Sequence, residues 1–423
     1  MKKLKVAIMG LGTVGGGTYD VLTRNREVIK SGYGVDVEVV KILDKSPKRL
    51  ADKGASEKLF AANIDEIVSD PDISVVVETM GGLEPAGSFI IKALESGKSV
   101  VTANKELLSK RLDELLSSAD KGGSGLYIEA SCVGGVPIIR TLTESMQANR
   151  VTELTGIING TTNYILTKMS EEGDDYAYAL GEAQKLGYAE FDPTADVEGF
   201  DAAYKLSILA SLAFHTRIPL DKIYREGISK ITSRDIAVGK SMGYELKLLA
   251  IGRQNSDGSV QARVHPAFVP ASHPLASVRG SFNAVLLKGD FVDEIMLYGR
   301  GAGAHPTASA IVSDIVYCAG KDRPQKNDFG SKLANVSDDF PSEYYFSVSV
   351  LDRPGMLSVI SGVLGSHGIS ISKMLQENAD GHCAEVVILT HMTSERLFRA
   401  AVAELRDVDG VLSVGSEIRV IED

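Results

Sequence analysis

Four apolar residues, Val6-Ala-Ile-Met9, run directly into Gly10-Leu11-Gly12-Thr13-Val14-Gly15, and a helical pattern (Thr18, Val21, Leu22) follows. A G-x-G-x-x-G in that strand–turn–helix setting leaves few folds open, because each glycine answers a steric demand. Gly10 permits the tight turn, Gly12 lets the backbone approach a pyrophosphate, and Gly15 lets helix and strand pack closely. The helix start then offers free N–H groups and a positive dipole end to phosphate. Further strands are expected near 37–43, 74–77, 99–101 and 126–128, with helices over 85–96 and 105–118. Alternating strands and helices imply a Rossmann-type, doubly wound parallel sheet over residues 1–128, an α/β nucleotide domain. The stretch 25–36 reads as an insertion or long loop.

The second strand ends at Asp44, where an acidic residue would accept a ribose 2′-OH, as NAD requires. Lys45, Lys48 and Arg49 follow at once, and a cationic cluster there could instead hold the 2′-phosphate of NADP. Both readings stay open, as does a merely solvated charged face.

Composition narrows the function class. The 423 residues carry 45 Lys+Arg against 56 Asp+Glu, a net charge of -11, which argues against a general nucleic-acid binder. Three cysteines, Cys132, Cys318 and Cys383, give neither a disulfide framework nor a Cys-based zinc site, which fits a reducing cytoplasm. No apolar run approaches the roughly 18 residues of a membrane span. The apolar stretch behind Met1-Lys-Lys stops at Gly10, too soon for a signal peptide.

The middle of the chain concentrates polar residues at expected element ends. Asn104 and Lys105 stand just beyond a strand, the edge of an open α/β sheet where ligands sit. Glu129-Ala-Ser-Cys-Val-Gly-Gly-Val-Pro137 follows another strand, and its paired glycines imply an unusual backbone path, suited to a pocket rim or ion site. Asn159-Gly-Thr-Thr-Asn-Tyr164 reads as a capped helix start. Carboxylates then crowd together as Glu190, Asp192, Asp196, Glu198 and Asp201. Asp201 and Lys205 lie four apart and share a helix face, which is the pattern of a surface ion pair as well as of a functional cluster. The seven histidines show no metal spacing and read as structural.

Together these motifs resemble homoserine dehydrogenase over the whole chain. The resemblance rests on GLGTVG at 10–15, TANK at 102–105, EASCVGGVP at 129–137, NGTTNYIL at 159–166, GYAEFDPTADVEGFDAAYKL at 187–206 and GRGAGAHPTASA at 299–310. It implies reversible NAD(P)H-dependent reduction of L-aspartate 4-semialdehyde to L-homoserine, on the route to threonine and methionine. Carried over, Lys205 becomes the proton donor to the carbonyl oxygen, with Lys105 beside cofactor and substrate. Glu190 and Asp201 fall on substrate-binding acids, with Asp196 and Tyr188 nearby. Gly10, Leu11, Gly12, Thr13, Val14, Gly15, Asp44, Lys45, Lys105, Gly187, Gly301 and Gly303 fall at or beside cofactor-contacting positions. NADP is slightly favoured over NAD. The turn after Glu129 falls on a monovalent-cation (Na+) site, with Glu129 and the backbone carbonyls near Cys132, Gly134 and Val136 as ligands. Reducing an aldehyde needs a hydride on carbon and a proton on oxygen, so a lysine acid fits the chemistry.

Residues 129–320 are expected to form an α+β substrate and dimerisation domain with a mixed sheet, fed by strands in 251–269 and 284–298, the last helix returning to the nucleotide domain. Residues 321–342 have linker composition. Residues 343–423 read β-α-β-β-α-β, a ferredoxin-like order, and with DRPGML at 352–357 they resemble an ACT domain. That likeness implies an amino-acid effector at paired-domain interfaces, here L-threonine, on a cytoplasmic homodimer or homotetramer with no nucleic-acid or membrane partner. Two other readings are an acylating aldehyde dehydrogenase using Cys132 as a thiolate and a non-catalytic nucleotide and amino-acid sensor.

Overall fold

The computed structural model describes residues 1–321, 327–378 and 382–421, which form two compact units. The first holds Met1–Gly160, Asp201–Ile223 and Phe282–Ala334; the second holds Thr161–Phe200, Tyr224–Ser281 and the chain from Asn335 on.

In the first unit, β1 (Lys2–Met9), β2 (Val35–Leu43), β3 (Phe60–Ala61), β4 (Ile73–Glu78), β5 (Ser99–Thr102) and β6 (Leu126–Tyr127) form one sheet in the order β3-β2-β1-β4-β5-β6. Every neighbouring pair is parallel. A parallel sheet covered on both faces needs continuous apolar strands, and Val6–Met9 and Val75–Val77 are fully buried. The strand order reverses between β1 and β4, which opens the ligand crevice at their carboxyl ends.

The glycine loop leads into α1 (Thr13–Arg24), and the expected loop at 25–36 is instead mostly helical, as α2 (Arg26–Tyr33). It is short and mostly polar, with Ile29 alone buried while Val28 and Tyr33 are exposed. Gly34 in the left-handed region ends it, and an Arg26–Asp36 ion pair at 2.8 Å ties it to β2.

Three more helices carry the unit: α3 (Lys105–Gly122), α4 (Phe200–Ala213) and α5 (Ala304–Ala319). Ile311 and Ile315 of α5 join the apolar cluster of Val6, Ile8, Val35 and Val37, so the last helix of the middle segment packs on the nucleotide sheet. A further strand, β7 (Val151–Ile157), pairs antiparallel with Phe282–Gly289, which pairs in turn with Asp293–Arg300.

In the second unit, β8 (Tyr244–Gln254) and β9 (Val260–Pro270) form an antiparallel hairpin. The hairpin starts earlier than expected from 251, because the turn lies at 255–259, where Asn255 N–H bonds the Ser259 carbonyl at 2.8 Å. The C-terminal segment follows as β10 (Pro341–Leu351), α6 (Met356–Ser366), β11 (Ile371–Asn378), β12 (Cys383–Thr390), α7 (Glu395–Arg406) and β13 (Val411–Val420). This is the β-α-β-β-α-β order of a ferredoxin-like module, with Phe346, Val348, Ile360 and Phe398 in its core.

The module is not free-standing. β13 pairs parallel with β9, so the sheet runs β8-β9-β13-β10-β12-β11. Arg419, 2% exposed, sits at that seam between Glu395 at 2.5 Å and Glu226 at 2.6 Å. The expected linker at 321–342 falls partly on 322–326, outside the described residues, as do 379–381 and 422–423 of the expected C-terminal domain. From Asn327 on the segment is pinned: Arg217 bonds Lys332 and Ala334, and Val260 bonds Asn335 and Ser337, backbone to backbone.

Candidate active site

The glycine loop has the geometry its sequence demands. A Cβ on Gly15 would stand 1.9 Å from the Gly10 carbonyl oxygen, so no other residue lets α1 start so close to β1. A Cβ on Gly12 would meet nothing within 4 Å, which leaves open space over the loop for a bound phosphate group. These residues therefore fit a dinucleotide. Asp44 Oδ2 accepts the Leu11 N–H at 2.7 Å and Oδ1 the Ser46 N–H at 2.9 Å, with Arg49 at 3.3 Å. Burial opposes its charge, but those donors outweigh burial and hold Asp44 below the usual carboxylate range. Lys45 and Lys48 are exposed beside it.

The carboxyl ends of β4 and β5 are joined by a residue the sequence reading passed over. Glu78, fully buried, accepts N–H groups from Met80 at 2.7 Å and Gly81 at 3.0 Å and the Thr102 hydroxyl at 2.6 Å. Thr102 Oγ1 then accepts the Asn104 N–H at 3.0 Å. Asn104 donates to the Gly82 carbonyl at 2.7 Å and caps α3 by accepting the Leu107 N–H at 3.1 Å. Lys105, the first residue of α3, is placed by this chain of bonds.

Lys105 reaches Asp201 Oδ1 at 3.1 Å. On the facing turn of α4, Lys205 Nζ donates to Asp201 Oδ2 at 2.7 Å and to the Ile158 carbonyl at 2.8 Å. The Asn159 amide donates to Asp201 Oδ2 at 2.9 Å, so the residue before the helix Gly160–Glu172 serves this cluster. Burial raises the Asp201 carboxyl, but the Lys205 and Lys105 charges and the hydrogen bonds from Lys205 and Asn159 hold it well below the usual range. The spacing of four is thus a buried ion pair, with both side chains 9% exposed.

The acidic stretch ahead of α4 belongs to the second unit. Gly187, Tyr188 and Glu190 lie exposed on a turn after the helix Tyr176–Lys185, and Asp196 lies in the short helix Thr194–Val197. The Tyr188 carbonyl accepts from the Thr161 hydroxyl at 2.6 Å, and its ring packs 5.0 Å from Tyr164. The Glu190 carboxylate has no hydrogen bond or ion pair among the described residues.

The turn after Glu129 is strained, with Val133 and Gly134 both left-handed at φ 54 and 50. A Cβ on Gly134 would lie 2.4 Å from the Gly301 carbonyl oxygen, so this turn abuts the Gly301–Gly303 turn that leads into α5. Glu129 is buried and accepts N–H groups from Ile139 at 2.9 Å and Arg140 at 2.8 Å. Burial raises its pKa against those two bonds. Cys132 is fully buried, and burial pushes its thiol up to about 12. No thiolate nucleophile forms there near neutral pH, which removes the physical basis of the acylating reading.

Residues 10–129 match the NAD-binding domain of homoserine dehydrogenase, 137–316 the homoserine dehydrogenase family, and 344–410 the ACT domain. The homoserine dehydrogenase of Mycobacterium tuberculosis is 41% identical over 99% of this chain and 98% of its own length. The chain belongs to the homoserine dehydrogenase family. These are NAD(P)-dependent oxidoreductases. The Pseudomonas aeruginosa homoserine dehydrogenase is 40% identical over 99% of both chains. The crystal structure of a homoserine dehydrogenase from Thiobacillus denitrificans superposes with a TM-score of 0.93 at 39% identity, covering 100% of this chain and 99% of that one. A hyperthermophilic archaeal homoserine dehydrogenase, solved with NADPH, matches 76% of this chain and 100% of its own at 26% identity, with a TM-score of 0.64. Among the described residues no helix is long and apolar enough to cross a membrane.

Proposed function

We propose that the protein interconverts L-aspartate 4-semialdehyde and L-homoserine, with Lys205 as the acid that protonates the carbonyl oxygen. The observation that carries this reading is the Lys205–Asp201–Lys105 cluster. A bound nicotinamide supplies the hydride, and the chain supplies orientation and the proton. An ammonium has three N–H donors. Asp201 and the Ile158 carbonyl take two of those on Lys205, so the third is the one left for a substrate oxygen. Lys105 holds the substrate's negative end. For Glu190, Asp196 and Tyr188 the role that the resemblance implies is substrate binding. Gly301 and Gly303 would flank the cofactor.

NADP is the favoured carrier. The Asp44 carboxylate is engaged by the Leu11 and Ser46 N–H groups and by Arg49, while Lys45 stands exposed beside it for a 2′-phosphate. We place a sodium ion at Glu129 and the carbonyls of Cys132, Gly134 and Val136. The enzyme works in the cytoplasm as a homodimer or homotetramer, a state supported by exposed Met296 and Tyr298 on the strand Asp293–Arg300. The C-terminal module senses L-threonine. The domain limits proposed are 1–128, 129–320 and 343–423, joined by 321–342.

The test is Lys205→Ala. Turnover should fall roughly a hundredfold or more, the scale of lost acid–base catalysis, with NADPH affinity nearly unchanged. Collapse of NADPH binding with turnover per bound cofactor preserved would make Lys205 a binding residue and refute the mechanism.

A further inference from the structure

Glu78 closes β4 at the edge where the strand order reverses, and it is fully buried. Its Oε1 accepts the Met80 and Gly81 N–H groups, and its Oε2 accepts the Thr102 hydroxyl. All three partners are donors, which suits the ionised carboxylate, an acceptor only. No cation pairs with it among the described residues. Lys105, the cation just past β5, is engaged by Asp201 at 3.1 Å. A buried charge without a counter-charge is costly, and a cationic group bound beside it would offset that cost.

The turn that follows, Thr79-Met-Gly-Gly82, shares an edge with the glycine loop. The Thr79 N–H donates to the Met9 carbonyl at 2.9 Å, and its hydroxyl donates to the Gly10 carbonyl at 2.8 Å. Gly81 and Gly82 are left-handed at φ 74 and 70, and a Cβ on either would meet nothing within 4 Å. Open space therefore lies over this turn, as it does over Gly12. A dinucleotide laid across the crevice, with its pyrophosphate on the glycine loop, puts its two halves on opposite sides of β1. The half beside β2 and Asp44 is the adenosine, so the nicotinamide half falls on the side of β4, the strand that Glu78 ends.

The two states of a nicotinamide ring differ by one unit of charge, the oxidised ring being cationic and the reduced ring neutral. A fixed anion in a dry wall tells them apart, because charges act more strongly where water is excluded. We propose that Glu78 biases this crevice toward the oxidised cofactor, so that the cationic ring is bound more tightly than it would be beside a neutral side chain. Glu78 is then a specificity-determining residue for the cofactor's oxidation state, acting through space. This role rests on the NAD(P)-dependent reading of the crevice and not on the part given to Lys205.

The test is calorimetric titration of the full-length protein with NADP+ and with NADPH, and likewise with NAD+ and NADH, the pair that binds giving a ratio of Kd values. Glu78→Gln keeps the shape of the side chain, since both N–H groups share Oε1 and the amide nitrogen takes the place of Oε2. Its ratio should move about threefold to tenfold toward the reduced cofactor, the scale of one unit charge in a partly dry site. Glu78→Met, also neutral, should move the same way. Thr102→Val removes a hydroxyl but no charge, and its ratio should stay within about twofold of wild type. The proposal is overturned if the neutral variants keep the wild-type ratio within about twofold, or if Thr102→Val shifts it as they do. Failure of both neutral variants to fold, read by circular dichroism, also overturns it, because the carboxylate would then serve only to hold the turn. Homoserine oxidation by wild type is followed in parallel. Its absence strikes the catalytic reading, while the Kd ratios still decide the role of Glu78.

Discussion

Replacing Asp201 by Asn removes one negative charge from between two lysines while keeping the shape of the side chain. Lys205 lies 2.7 Å and Lys105 3.1 Å from its oxygens. At an effective dielectric of about 20, each contact is worth roughly 5–6 kcal/mol of gross attraction, most of it offset by desolvation. The net cost of removing one partner of such a buried pair is about 3–5 kcal/mol, because the Lys205 ammonium stays behind with the Ile158 carbonyl. For a chain of 423 residues that corresponds to a fall in Tm of roughly 3–6 °C, read by far-UV circular dichroism. Turnover should fall at least about a hundredfold, because the Ile158 carbonyl is then left to hold the ammonium's direction without the carboxylate. Adding Lys205→Met to Asp201→Asn removes both partners, so the double variant should recover about half of the lost stability and stay inactive. Equal Tm values for wild type and Asp201→Asn, or full additivity in the double variant, would refute the claim that this pair organises the site.

Two further outcomes follow from buried groups. Cys132→Ser should retain most of the activity and cost about 1 kcal/mol of stability, and total loss of turnover on a folded variant would revive the thiolate mechanism. Lys247, 2% exposed and bonded to the Val278 carbonyl at 2.6 Å, has its pKa lowered by burial to about 8. The folded state therefore binds fewer protons than the unfolded one between about pH 8 and 10.5, and this residue's contribution to stability rises with pH across that window. Lys247→Met should raise the Tm at pH 7 and lose that advantage above about pH 10; a destabilised variant at pH 7 would show that the amine is needed where it is.

What the sequence made legible was local. Gly10, Gly12 and Gly15 could be assigned separate tasks because a turn between strand and helix sets its own steric rules. The Asp201–Lys205 contact could be drawn from helix geometry, though burial, which turns a surface pair into a site, depends on packing far along the chain. α2 was missed because it is eight residues long and mostly polar, with a single buried isoleucine. Glu78 was missed because it reads as the polar end of an apolar strand, and its partners Thr102 and Asn104 come from the next strand of the sheet. A carboxylate directly before Thr-Met-Gly-Gly at a strand's end was the available signal. The Arg419–Glu226 contact spans 193 residues, and no local pattern encodes it.

The most direct test of the account is the absorbance change of the nicotinamide on adding L-homoserine to folded protein, with NAD and NADP supplied separately. The account predicts reduction of the cofactor, faster with NADP, and its loss in Lys205→Ala. Folded wild-type protein that reduces neither cofactor would contradict it.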